Sequence, residues 1–149
     1  MAQNIEAMNV DAIIVRHQTA GTPDLLAKHL NSSVINAGDG CRGHPTQALL
    51  DMFTIKERLG KVEGLKVGIV GDILHSRVAR SNIYALTKLG AKVTVCGPAT
   101  LMPIGIESLG VKVTYQLSDV IKESDVIMLL RLRLERQKDQ FLPLIKEYA

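Results

Sequence analysis

The chain has 149 residues, a formal net charge of +3, 46% hydrophobic residues and 22% charged residues, which is typical of a globular protein with one or two small domains. Its basic residues form no long blocks, and three Tyr, two Phe and no Trp offer few rings for base stacking, which disfavours nucleic-acid binding. No apolar run approaches the roughly 20 residues of a membrane span. Cys41 and Cys96 lie far apart without metal-site spacing, which favours a reducing, cytoplasmic location and no metal.

Short apolar runs bounded by turn residues recur along the chain and predict strands. The candidate strands lie at 10–16, 33–36, 65–71, 92–96, 112–115 and 125–130. The candidate helices lie at 23–30, 45–59, 76–89, 103–109 and 117–123, with a helical or irregular tail at 135–148. Such alternation is typical of an α/β fold with a doubly wound parallel sheet and right-handed crossovers.

The two halves of the chain are unequal. Residues 1–44 offer two strands and one short helix, too little to enclose a core, and are interpreted as the C-terminal part of one α/β lobe. Residues 45–60 are interpreted as a linker helix. Residues 61–149 carry four candidate strands and would form most of a second, doubly wound lobe.

A glycine-rich turn over 38–43 leads into the helix predicted at 45–59. Pro45 suits the first helical position, so His44 is the expected N-cap and Gln47 the third helical residue. Both side chains would lie at the positive end of the helix, which favours an anion or a polarised oxygen. An ordinary capped helix explains the same spacing.

The helix at 45–59 has two different faces. Its polar face carries Gln47, Asp51 and Arg58. Its apolar face, which is expected to be anchored in a core, carries Leu49, Leu50 and Phe53.

Two groups of arginines follow predicted strands. Arg77 lies just after the strand at 65–71, at the kind of strand-to-helix junction where open α/β sheets bind ligands. Arg131 and Arg133 end the last strand, and alternation places them on one face. Arginines in such positions can clamp carboxylates with paired hydrogen bonds; a surface arginine and a solvated charge run are the alternatives. The segment 68–71 lacks the G-x-G-x-x-G spacing of a dinucleotide site, and no Gly-Lys-Ser/Thr of a Walker loop follows it.

These segments resemble the aspartate/ornithine carbamoyltransferase family. Gly-Asp-Gly followed by His-Pro-Thr-Gln at 44–47 is similar to the carbamoyltransferase signature, and Ser-Arg-Val-Ala-Arg-Ser at 76–81 to the aspartate-binding segment. The run at 131–136 resembles an Arg-x-Gln-x-Glu-Arg segment, and Arg-His at 16–17 resembles an arginine that ends a strand of the carbamoyl-phosphate lobe. The resemblance covers nearly the whole chain and favours the members that act on aspartate.

The resemblance implies transfer of the carbamoyl group from carbamoyl phosphate to the amino group of L-aspartate in pyrimidine synthesis, without a metal or organic cofactor. It implies that Arg16 and His44 polarise the carbonyl oxygen of carbamoyl phosphate in catalysis. Gln47 would hold the carbamoyl NH₂ group. The residues implied for aspartate binding are Arg77, Arg131 and Arg133. The complete enzyme would be a homotrimer, with a regulatory subunit or another pathway enzyme as a further partner.

Several features depart from the family pattern. Arg133 stands where the family has glutamine. The family's Ser-Thr-Arg-Thr phosphate loop, its lysine-bearing loop and its His-Pro-x-Pro segment do not occur in this sequence. We therefore expect the chain to be the central part of such an enzyme and to be inactive by itself. The alternative is a non-catalytic truncated relative that binds anions or acts in assembly.

Overall fold

The computed structural model describes residues 1–131, so the expected tail at 135–148 and the side chain of Arg133 lie outside the described residues. The helices are α1 (Ala2–Glu6), α2 (Thr22–His29), α3 (Pro45–Leu59), α4 (Arg77–Lys88) and α5 (Leu117–Glu123). The strands are β1 (Ala12–His17), β2 (Ser33–Asp39), β3 (Lys66–Val70), β4 (Lys92–Cys96), β5 (Lys112–Thr114) and β6 (Val126–Leu129).

The described strands form two parallel sheets. In the first sheet, β1 pairs with β2, from Ala12 opposite Ser33 to His17 opposite Asp39. The second sheet has the strand order β5-β4-β3-β6. The connections β3–α4–β4 and β5–α5–β6 cross this sheet in opposite directions, so right-handed crossovers place α4 and α5 on opposite faces. The α/β class with a doubly wound parallel sheet is therefore confirmed.

The apolar core lies between the second sheet and the helices α3 and α4. Ile69 of β3, Val95 of β4 and Leu86 of α4 are fully buried, and burial of each such side chain contributes about 1.5–3 kcal/mol. Met52 and Ile55 of α3 belong to the same cluster. This packing holds the N-terminus of α3, which carries His44, beside α4.

The structure corrects the face by which α3 packs. Leu49, Leu50 and Phe53, which were expected in a core, are 68%, 56% and 64% exposed. Ala48 and Met52 are buried instead, because the smaller apolar stripe is on the side of α3 that packs against α4 and β2. The period of an amphipathic helix identifies apolar positions but does not identify which of them a neighbouring element covers.

Helix α5 packs very closely on β3. A Cβ atom at Gly68 would lie only 2.3 Å from Cγ1 of Val120, well inside contact distance. Val120 is itself 1% exposed. The glycine in the middle of β3 therefore allows α5 to approach the strand. From the sequence alone, a glycine at this position is expected only to weaken a strand.

Some element boundaries differ from the predictions. Helix α2 is preceded by Gly21 in a left-handed conformation with φ 84° and begins at Thr22, one residue before the predicted start. The expected helix at 103–109 contains only a 3₁₀ turn, Ile106–Leu109. Helix α1 was not predicted. No helix within residues 1–131 combines the length and apolar character needed to cross a bilayer.

Candidate functional site

His44 caps the N-terminus of α3, as predicted. Its Nδ1 accepts a hydrogen bond from the backbone N–H of Gln47 at 3.3 Å, and its own backbone N–H donates to Oγ of Ser81 in α4 at 2.8 Å. Since Nδ1 acts as an acceptor, the neutral ring carries its proton on Nε2. The helix cap thus selects one tautomer and leaves Nε2–H as the donor of the imidazole.

The surroundings of His44 favour this neutral ring. Its pKa is lowered from the ordinary value, first because partial burial penalises the charged form, and then because the charges of Arg77 and Arg16 repel a proton. The carboxylate of Asp51 acts in the opposite direction but less strongly than these. The site therefore combines an uncharged N–H donor with two nearby cations.

Arg77 is the first residue of α4 and is only 6% exposed. Its Nη1 donates to the carbonyl oxygen of Gly40 at 3.2 Å. A Cβ atom at Gly38 would lie 2.9 Å from Cζ of Arg77, so the guanidinium lies directly against the backbone of the glycine turn. The start of α4 is thereby brought to the glycine turn at the end of β2.

The glycine turn is held in place by Asp39, a residue that the sequence did not single out for a role. Asp39 is 1% exposed. Its Oδ2 accepts from the backbone N–H of Gly21 at 2.9 Å, and its backbone N–H donates to the carbonyl oxygen of Gly43 at 3.0 Å. The first bond ties the end of β2 to the residue that precedes α2, and the second closes the glycine turn at 38–43. The only sequence signal was the Gly-Asp-Gly pattern itself.

Arg16 and Arg131 both lie at carboxyl ends of strands. Arg16 is exposed and lies where the β1–β2 register shifts, between Val15 and His17. Arg131 is also exposed; the preceding Leu130 donates to the carbonyl oxygen of Val70 at 2.8 Å, which places Arg131 at the edge where β3 ends. Its side chain makes no ion pair with another residue in the described part of the chain.

A second polar group connects α3 with α4. Nε2 of Gln47 donates to Oδ1 of Asp51 at 2.9 Å, and Nδ2 of Asn82 donates to Oδ2 of the same carboxylate at 2.8 Å. The shared face of Gln47 and Asp51 was predicted from the helical spacing, and the structure confirms it. Asn82 was missed, because a single asparagine in an amphipathic helix gives no signal of its partner.

A buried carboxylate paired with a half-buried imidazole follows β3. Asp72 is 3% exposed and its carboxylate oxygens lie 3.0 and 3.1 Å from Nδ1 of His75. Oδ1 of Asp72 also accepts from the backbone N–H of His75 at 3.0 Å. The pair shapes the loop that leads to Arg77.

Of the six predicted site residues, the structure places Arg77 and Arg16 close enough to His44 for their charges to lower its pKa, and Gln47 lies one helical turn from His44. Arg131 lies at the same type of strand end but makes no hydrogen bond or ion pair with them within residues 1–131, and Arg133 lies outside the described residues. Two cations and a neutral N–H donor can bind an anion and stabilise negative charge on a carbonyl oxygen. Within residues 1–131 no group of His, Cys, Asp and Glu side chains is arranged to hold a metal ion.

Comparison with known proteins shows which family the chain is similar to. Residues 1–57 match the model of the aspartate/ornithine carbamoyltransferase carbamoyl-P binding domain, and the similarity to curated relatives covers 98–99% of the chain. The chain belongs to the aspartate/ornithine carbamoyltransferase family.

Within the family, the chain is similar to aspartate carbamoyltransferase catalytic subunits. It is 60% identical to that of Caldanaerobacter subterraneus subsp. tengcongensis over 146 residues, 98% of this chain and 48% of the relative. It is 60% identical to that of Moorella thermoacetica over 148 residues, 99% of this chain and 48% of the relative. The chain therefore spans about half the length of the curated relatives it matches.

Solved structures give the same result. The crystal structure of aspartate transcarbamoylase from Trypanosoma cruzi in complex with carbamoyl phosphate has a TM-score of 0.79 and 30% identity, covering 94% of this chain and 48% of that one. The structure of the same protein with N-(phosphonacetyl)-L-aspartic acid has a TM-score of 0.78 and 31% identity, covering 91% and 47%.

Proposed function

We propose that this chain forms the central part of an aspartate carbamoyltransferase catalytic subunit, and that the complete protein transfers the carbamoyl group of carbamoyl phosphate to the amino group of L-aspartate. The observation that carries this proposal is the His44 ring, a neutral N–H donor that is held by a helix cap and whose pKa is lowered by burial and by the charges of Arg77 and Arg16. The family membership supports the same reaction.

In the proposed mechanism, the amine of aspartate attacks the carbonyl carbon and negative charge develops on the carbonyl oxygen. Nε2–H of His44 and the guanidinium of Arg16 donate to that oxygen, and such preorganised donors stabilise the transition state strongly. The new N–C bond forms as the C–O bond to phosphate breaks, and the amine proton leaves with the phosphate. Gln47 accepts a hydrogen bond from the carbamoyl NH₂ group. The reaction needs no metal or organic cofactor.

Aspartate is proposed to bind at the neighbouring strand ends. Arg77 would pair with one carboxylate and Arg131 with the other, with Arg133 close to the same ligand. The support is their position at carboxyl ends of parallel strands, where such sheets bind ligands, and the planar fork of arginine that matches a carboxylate.

We propose the same organisation for the complete protein as for the family. Residues 1–44 would belong to the carbamoyl-phosphate lobe, 45–60 to the linker helix and 61–149 to the aspartate lobe. The complete catalytic subunit would form a homotrimer in the cytoplasm. A regulatory subunit or another pathway enzyme would be its further partner. The support is the resemblance together with the two separate parallel sheets.

The test uses a chimera, in which this chain replaces the matching 148-residue segment of the Moorella thermoacetica relative. The chimera is expected to form N-carbamoyl-L-aspartate, measured from the two substrates in steady state. His44→Ala should lower kcat by roughly 10²- to 10³-fold, because one lost donor to a developing oxyanion costs about 2.7–4 kcal/mol.

The matched control is His29→Ala, which removes an exposed imidazole at the end of α2 and should leave kcat unchanged. A folded chimera without carbamoyl transfer would contradict the proposed function. An unchanged kcat in His44→Ala would contradict the role of that residue.

A further inference from the structure

We propose that Asp51 is a positioning residue of the site, which orients the Gln47 amide so that its carbonyl oxygen faces the substrate. The proposal rests on the proposed function, in which Gln47 receives the NH₂ group of carbamoyl phosphate. Asp51 itself touches no reacting atom. It acts through the two amides that it binds.

The orientation of Gln47 follows from the chemistry of its partner. Oδ1 of Asp51 lies 2.9 Å from Nε2 of Gln47, and the four-residue spacing places both side chains on one face of α3. An ionised carboxylate has only acceptors, so the amide must turn its NH₂ group toward Asp51. The carbonyl oxygen, Oε1, then points the other way, and it accepts no hydrogen bond within the described residues.

A fixed Oε1 makes the site selective for a substrate that carries an NH₂ group beside its carbonyl oxygen. Gln47 is three residues after His44, and its backbone N–H already fixes the His44 tautomer. The site therefore offers one donor, Nε2–H of His44, and one acceptor, Oε1 of Gln47. That pair is complementary to a carbonyl oxygen and an NH₂ group on the same carbon. A free amide could rotate and present a second donor instead.

Asn82 prevents Asp51 from rotating. It is completely buried, and its Nδ2 donates both to Oδ2 of Asp51 at 2.8 Å and to the carbonyl oxygen of Val78 at 3.1 Å. Turning its amide would lose both bonds. Asn82 lies on α4, which begins with Arg77. The Asp51 carboxylate therefore ties the orientation of Gln47 to the helix that carries Arg77, the residue proposed to bind aspartate.

The experiment compares two acyl phosphates in the chimera. Carbamoyl phosphate has an NH₂ group where acetyl phosphate has a methyl group, and only the first can donate to Oε1 of Gln47. In Asp51→Asn the new side chain has one acceptor and one donor. Since Asn82 keeps the acceptor, the NH₂ group of the introduced amide faces Gln47 and turns it, so that Nε2 opposes the substrate NH₂.

The measured quantity is the ratio of kcat/KM for carbamoyl phosphate to kcat/KM for acetyl phosphate. Asp51→Asn should lower this ratio at least tenfold while the acetyl phosphate value changes less than threefold. The effect should disappear in a Gln47→Ala background, as a double-mutant cycle requires of a residue that acts through another. Glu57→Gln, the same chemical change at an exposed position of α3, should leave the ratio unchanged.

The outcomes separate the two proposals. If the unmodified chimera makes no N-carbamoyl-L-aspartate, the proposed function fails before any variant is needed. If the chimera is active and Asp51→Asn lowers both substrates equally, or leaves the ratio unchanged, the positioning role is wrong. Should Asp51→Asn fail to fold, Asp51→Ala, which removes both acceptors and releases the Gln47 amide, is measured for the same ratio with the same two results deciding.

Discussion

Gly38 controls the position of Arg77, and replacing it tests how the start of α4 reaches the glycine turn. In Gly38→Ala the new Cβ would lie 2.9 Å from Cζ of Arg77 and 3.1 and 3.2 Å from its two terminal nitrogens. The guanidinium must retreat by about 0.5 Å to restore an ordinary contact of 3.4 Å. Its bond to the Gly40 oxygen is already 3.2 Å long, so this retreat breaks it.

The magnitude follows from what Arg77 is proposed to hold. A hydrogen bond to a charged group contributes about 1.5–3 kcal/mol, and each 1.4 kcal/mol is tenfold in binding. Gly38→Ala should therefore raise the KM for aspartate roughly 10- to 100-fold in the chimera. The positive φ of 119° at this position adds backbone strain of about 1–3 kcal/mol, which lowers the free energy of unfolding.

Gly64→Ala separates these two effects. Gly64 also has a positive φ, 76°, but an added Cβ meets no atom within 4 Å. It should lower the free energy of unfolding, measured by urea denaturation, without changing the KM for aspartate. A folded Gly38→Ala protein with an unchanged KM would refute the placement of Arg77 as an aspartate ligand.

Two further predictions concern titrating groups. Arg16→Gln should raise the pKa of His44 toward its ordinary value, because the Arg16 charge helps to lower it; an NMR titration of the His44 ring would show this, and an unchanged pKa would place Arg16 too far away to act. Glu6 accepts hydrogen bonds from Ser32 and Asn31, and these lower its pKa from 4.5. Its carboxylate therefore stabilises the fold above that pH and loses this effect as the pH falls through the lowered pKa. The melting temperatures of the unmodified chimera and of Glu6→Gln should differ at neutral pH and converge in acid; a difference independent of pH would contradict the role of the charge.

Local signals in the sequence were sufficient to predict helix α3. Pro45 and Gly60 mark the two ends of α3, and both ends lie where they were predicted. The cap by His44 follows from the same signals, since a residue before an N1 proline is the natural N-cap. Strands β3, β4 and β6 were found for a similar reason, because each is a short apolar run between turn residues.

Contacts between distant segments could not be predicted. Arg77 was placed after a strand, but its packing against Gly38 depends on how the turn after β2 meets the start of α4. In the sequence, Asn82 is an ordinary polar residue of a helix. Only the structure shows that it donates a hydrogen bond from α4 to Asp51 on α3. The exposure of Phe53 has the same origin, because periodicity indicates an apolar face and does not say what covers it.

The most direct test of the proposed site is a crystal structure of the chimera with N-(phosphonacetyl)-L-aspartate, which joins a phosphonate and an aspartate in one molecule. The site predicts Nε2 of His44 within hydrogen-bond distance of the ligand's carbonyl oxygen, and the guanidiniums of Arg77 and Arg131 paired with its carboxylates. A ligand bound elsewhere, or one bound at this site with His44 turned away and Arg77 still against the glycine turn without touching the ligand, would contradict the account.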